Sequence, residues 1–130
     1  MLRRLVAAGF LAIAAPLPAF AQQLIGEYYT SLTPTDFFNS RGARLTDFGA
    51  ILQQDRANYH RFGRADDLDQ WDPIFADPNL RALIPRIWRS GPGSEYVPGW
   101  VLSGKVRYVF VQIFGQNGVP SFIVVHEGAG

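Results

Sequence analysis

The chain has 130 residues, no Cys, 14 % aromatic content and a formal charge of +1 at pH 7. Disulfides are excluded, and a chain this apolar is not intrinsically disordered, so burial of aromatic and aliphatic side chains has to stabilise it. Arg3 and Arg4 precede an apolar run from Leu5 to Ala15, followed by Pro16, Pro18 and Ala19-Phe20-Ala21. This is the three-part pattern of a secretory signal peptide with an A-x-A cleavage site between Ala21 and Gln22. The run is shorter than the ~20 residues needed to span a bilayer, so no membrane span is expected after cleavage.

Processing would leave residues 22–130 as one soluble domain in the periplasm or medium. Loss of Arg3 and Arg4 leaves ten basic residues against eleven acidic ones, a net charge of −1. No basic excess remains to point to nucleic acid or anionic lipid. Lys105 is the only Lys, so nearly every positive charge is an Arg suited to fixed planar contacts.

In chain order, Leu24–Ser31 carries strand formers. Thr33-Pro34-Thr35-Asp36 has the form of a helix start, with a Thr cap and Pro at the first helical position, and Asn39-Ser40-Arg41-Gly42 stops it. From about Leu45 to Phe62-Gly63 the pattern is helical. Taking Phe48 as zero at about 100° per residue, Tyr59, Leu52, Phe62 and Ile51 form one apolar stripe, with Gly49 beside it. Residues Arg64 to Pro73 read as a polar loop tied down by Trp71. Asp77-Pro78 starts another helix, with Leu80, Leu83, Ile84, Ile87 and Trp88 at helical spacing and Pro85 as a kink or stop.

The Pro/Gly-rich segment Ser90–Gly99 marks a change from helix to sheet. Trp100–Leu102, Lys105–Phe114 and Phe122–Glu127 are predicted strands, the last two joined at Asn117-Gly118. A two-residue turn there pairs His126 with Val109 and Glu127 with Tyr108. Because the middle strand is apolar on both faces, helices are expected on one face and a loop or a partner chain on the other. The fold class is α+β, with N-terminal helices packed on a C-terminal antiparallel three- to four-stranded meander.

Candidate chemistry is sparse. The stretch DDLDQWD is rich in carboxylates, but counting from Asp67 puts Trp71 fifth, Asp72 sixth and Pro78 twelfth, which breaks the EF-type calcium loop. Two His, His60 and His126, cannot make a zinc site alone, and His60 falls about 120° from the stripe, as a surface residue near a helix C-terminus. His126 and Glu127, as strand neighbours, point to opposite faces. No G-x-S-x-G elbow, phosphate-binding loop or dinucleotide fingerprint occurs, and no cofactor is implied. The candidate acid–base groups are therefore Asp55, His60, Glu95 and Glu127, none tied to a motif.

Asp55 is the anomaly. At about 340° it lies inside the apolar stripe, where an unpaired carboxylate is costly. Either it is satisfied structurally, by backbone N–H groups or by an Arg such as Arg44, Arg86 or Arg107, or it lines a cleft with a shifted pKa. Trp88, Arg89, Tyr96 and Trp100 surround the Pro/Gly-rich segment and are residue types that anchor interfaces. The leading expectation is a non-enzymatic binding or accessory domain for a protein or cell-envelope component. The alternatives are a small secreted hydrolase using the acid–base groups, and an obligate oligomer joined through the open sheet face.

Overall fold

The computed structural model describes residues 7–13 and 22–128. Most of the signal-peptide pattern and the cleavage residue Ala21 lie outside them; residues 7–13 are exposed and carry no regular structure. Among the described residues no helix is long and apolar enough to cross a membrane.

Strand β1 (Gln23–Leu32) alternates cleanly at its C-terminal half: Tyr28, Thr30 and Leu32 are buried, Tyr29 and Ser31 are not. A 3₁₀ turn (Pro34–Asp36) follows, closed by a capping box in which the Asp36 carboxylate accepts from the Thr33 backbone N–H. Helix α1 (Phe48–His60) is capped by Asp47, whose side chain accepts from Gly49 N–H, and it buries Phe48, Ile51, Leu52 and Asp55 together. Phe62 lies beyond the helix end and is exposed, so the stripe stops one turn earlier than its spacing suggests.

The helix expected to kink or stop at Pro85 is already broken at residues 82–83, and Pro85 lies in the first turn of the next helix. Helices α2 (Pro78–Arg81) and α3 (Ile84–Ile87) are single turns, and Trp88 then leaves the helix as the first residue of strand β2 (Trp88–Ser90). Gly49 is where α1 meets this segment: a Cβ there would lie 2.6 Å from Pro85 Cα and 2.8 Å from the Trp88 indole nitrogen. Trp100–Leu102 is not a strand. It belongs to helix α4 (Val97–Leu102), because Val97 and Val101, four apart, both enter the core.

Strands β3 (Arg107–Gln116) and β4 (Val119–Glu127) form the expected hairpin, with both Asn117 and Gly118 at positive φ. The register near the turn is as read from sequence, Gln116 opposite Val119 and Gly115 opposite Pro120, but a bulge then shifts it by one. His126 therefore faces Phe110 rather than Val109, and Glu127 faces Val109 rather than Tyr108.

The sheet order is β1-β3-β4-β2. β1 and β3 are antiparallel, as are β3 and β4, while β2 runs parallel to β4, so this is a mixed sheet and not a simple meander. Among the described residues the first element is strand β1, as its strand formers suggested, and the helices come between β1 and β3 rather than ahead of the sheet. The coarse expectation of an α+β arrangement holds; the segregation of helices before strands does not. Tyr28, Leu32, Val109, Val111, Ile113, Ile123 and Val125 from one sheet face join Phe48, Ile51, Leu52, Ile84, Val97 and Val101 from the helices in a single core.

Candidate functional site

Three fully buried charged side chains break the apolar character of that core. Asp55, Arg56 and Asp72 are each 0 % exposed. The Arg56 guanidinium donates from Nε to Asp55 Oδ2 at 2.8 Å and from Nη1 to Asp72 Oδ1 at 3.0 Å and Gln70 O at 2.8 Å; from Nη2 it donates to Thr30 Oγ1 at 3.1 Å. Thr30 in turn donates to Asp55 Oδ1 at 2.7 Å. The Tyr28 ring lies 3.9 Å beneath the guanidinium and the Tyr59 ring 4.8 Å from it. The partner of Asp55 is thus its own chain neighbour, not Arg44, Arg86 or Arg107. A helical neighbour is about 100° away, but the long arginine stem folds back over that angle.

Asp72 closes the network. Its Oδ2 accepts from the backbone N–H groups of Ile74 and Phe75 at 2.9 and 2.6 Å, and its Oδ1 lies 2.7 Å from His60 Nε2. Two sequence expectations fail here for one reason. Trp71 is 62 % exposed and does not tie down the loop; the buried anchor is the adjacent Asp72. His60 is not a surface group, since its side chain is 5 % exposed and turned onto that carboxylate. A hydrophobic stripe counts only apolar residues, and α1 buries a second face through charge pairing.

Burial pushes the Asp55 carboxyl up to about 6 against the opposing pull of Arg56. For Asp72 burial acts in the same direction, but the contacts to His60, Phe75, Arg56 and Ile74 outweigh it and lower the pKa. Asp36 has no cation: burial and the nearby Asp55 charge raise its carboxyl to about 8, while its oxygens accept only from Asn58 Nδ2 and Thr33 N–H.

The rest of the acidic loop seals a sheet edge. Gln70 N–H donates to Tyr29 O, Tyr29 N–H to Gln70 Oε1, Ser31 N–H to Asp69 Oδ1, and Thr33 Oγ1 to Asp66 Oδ2. These bonds cover the outer edge of β1 at Tyr29 and Ser31, and the other edge strand, β2, is only three residues long. Among the described residues no group of three or more His, Asp or Glu is placed to hold a metal ion.

The remaining candidates are dispersed. Glu95 is exposed. Glu127 is exposed at the far end of the sheet, where it accepts from the Tyr96 hydroxyl and from Arg107 Nη2. Tyr96 and Trp100 form an exposed edge-to-face pair beside them, with the Lys105 ammonium 4.2 Å from the Trp100 ring. Trp88 faces inward, edge-on to Phe48 at 5.0 Å. Arg89 lies on the opposite sheet face, its guanidinium 4.2 Å from the Phe122 ring.

That opposite face was legible only as apolar alternation. Its side chains form two stacked groups. Tyr29 stacks between Tyr108 at 5.3 Å and Phe110 at 4.6 Å, and Phe110 stacks on His126 at 5.8 Å; farther along, Phe114 stacks on Phe122 at 5.0 Å. Gln112 Oε1 lies 2.9 Å from His126 Nε2 between the two groups. These residues are half-buried, since the helices contribute to the core on the other side only. In comparisons with known proteins, no family model, curated protein or solved structure matches this chain.

Proposed function

We propose that the chain is an exported, non-catalytic binding domain that engages a protein or cell-envelope component through the open aromatic face of its sheet. The observation that carries this reading is the surface made by Tyr29, Tyr108, Phe110, Phe114, Phe122 and Arg89, two aromatic groups on either side of Gln112 and His126 with a planar cation at the border. Aromatic rings and Arg are enriched among the side chains that dominate binding energy, the rings because they bury large areas with few rotors to freeze and Arg because its planar fork offers several donors at once. Export rests on the N-terminal pattern of Arg3, Arg4, the apolar run and Ala19-Phe20-Ala21.

Among the acid–base candidates, Asp55 is sealed from solvent and holds a guanidinium, and His60 holds Asp72. Glu95 and Glu127 stand apart from both. A general acid or base must reach the reacting atom, and this geometry favours a scaffold role for the buried pair.

The test compares capture of envelope material by the wild type, by Tyr108→Ser and Phe122→Ser on the open face, and by Trp71→Ser elsewhere on the surface. Capture lost in both face variants and kept in Trp71→Ser supports the reading. Capture unaffected by the face substitutions rejects it.

A further inference from the structure

We propose that a cleft between the end of α1 and α2 binds a small molecule through a phosphate-class oxyanion, held between Arg61 and Arg81. Two adjoining clefts of about 380 and 390 Å³ share Arg61, Pro78 and Arg81 in their walls. The first also has Ser40 and Gln53 in its lining, the second His60.

The contrast with Arg56 makes the site conspicuous. Both residues are buried, Arg56 completely and Arg81 to 6 % exposure, but Arg56 has two carboxylates, whereas among the described residues none lies in ion-pair range of Arg81. Arg81 Nη1 donates to Phe75 O at 2.9 Å, with Ala76 O at 3.5 Å, so only neutral carbonyls meet the charge. Among the described residues Arg61 has no carboxylate partner either; its guanidinium lies 4.9 Å from the Phe62 ring.

The carboxylates that act on Arg81 through space are otherwise engaged. Asp72 is saturated by Arg56, His60 and two backbone N–H groups, and Asp77 caps the Asn79 N–H. Burial and the nearby Arg61 charge together lower the Arg81 pKa, so the Arg81 cation is disfavoured there until an anion arrives. At the end of α1 the carbonyls of Ala57 and Asn58 accept from Arg61, Phe62 and Arg64 N–H, which blunts the negative end of the helix. Two planar forks from different elements suit a tetrahedral dianion, whereas a single carboxylate is satisfied by one fork.

Inorganic phosphate titrated into the full chain at constant ionic strength, against chloride, tests the site by calorimetry and by the thermal midpoint. Saturable binding is expected, weakened roughly tenfold or more by Arg61→Gln and unchanged by Arg86→Gln, an exposed Arg outside the clefts. Arg61 is exposed, so this variant keeps the fold; Arg81→Lys retains charge but loses the fork, and weaker binding is expected there too. No saturable binding, or equal loss in Arg61→Gln and Arg86→Gln, would overturn the proposal. Vesicles of phosphatidic acid separate the sources: Arg61-dependent flotation assigns the group to a lipid, and phosphate binding without flotation assigns it to a soluble ester.

Discussion

Replacing Arg56 by Met tests whether the buried network is structural. The substitution keeps an unbranched stem of similar length and removes the guanidinium, so packing over Tyr28 changes less than charge does. Four hydrogen bonds to Asp55, Asp72, Gln70 O and Thr30 disappear, and two carboxylates with no exposure are left without their cation. Removing one partner of a buried ion pair costs about 3–5 kcal/mol, chiefly because the abandoned charge cannot be rehydrated. The two carboxylates share one cation, so the losses do not add, and protonation of Asp55 relieves part of the cost. A loss of about 3–5 kcal/mol is a large share of the ~5–15 kcal/mol that holds a domain folded. Urea denaturation at pH 7.5, followed by the fluorescence of inward-facing Trp88, should show the transition moving down by that amount. A variant within about 1 kcal/mol of wild type would refute the network's structural role.

Three further outcomes follow from the same packing. Asp36, raised to about 8 when folded against an ordinary carboxylate value near 4 when unfolded, binds a proton in the folded state that the unfolded state releases. Its contribution is complete below about pH 4 and is lost as pH rises through 8, so stability should fall between pH 6.5 and 8 by up to about 1.4 kcal/mol per pH unit; Asp36→Asn should flatten that slope, and an unchanged slope excludes the raised pKa. Gly49→Ala gains up to about 1 kcal/mol of helix propensity, yet its Cβ meets backbone at Pro85, so a net loss of about 1–3 kcal/mol is expected by thermal melting; a more stable variant would show that α3 can retreat. Trp71→Ala should leave stability within about 0.5 kcal/mol while Asp72→Ala lowers it by more than about 2 kcal/mol in chemical denaturation; the reverse order would restore Trp71 as the loop's anchor.

Local chemistry was legible wherever it acts over a few residues. Thr33-Pro34, Asp77-Pro78 and Asn117-Gly118 each set a cap or a turn, because a side chain or a φ preference meets backbone groups within two or three positions. Asp55 stood out for a similar reason, one charge inside a periodic apolar pattern. The identity of its partner did not, since Arg56 reads as off the stripe and becomes a core residue only when Asp72, Thr30 and Gln70 arrive from other segments.

By itself, then, the sequence determined the elements near their caps and turns, the absence of disulfides and the presence of one misplaced carboxylate. Tertiary structure decided what each polar group faces. It put the short parallel strand β2 on β4, turned the Asp-rich loop into an edge seal, drew His60 onto Asp72 and set Arg81 against backbone carbonyls, with no counter-charge among the described residues. Those outcomes depend on contacts between residues distant in the chain, and periodicity reports which face a residue occupies but not what will meet it there.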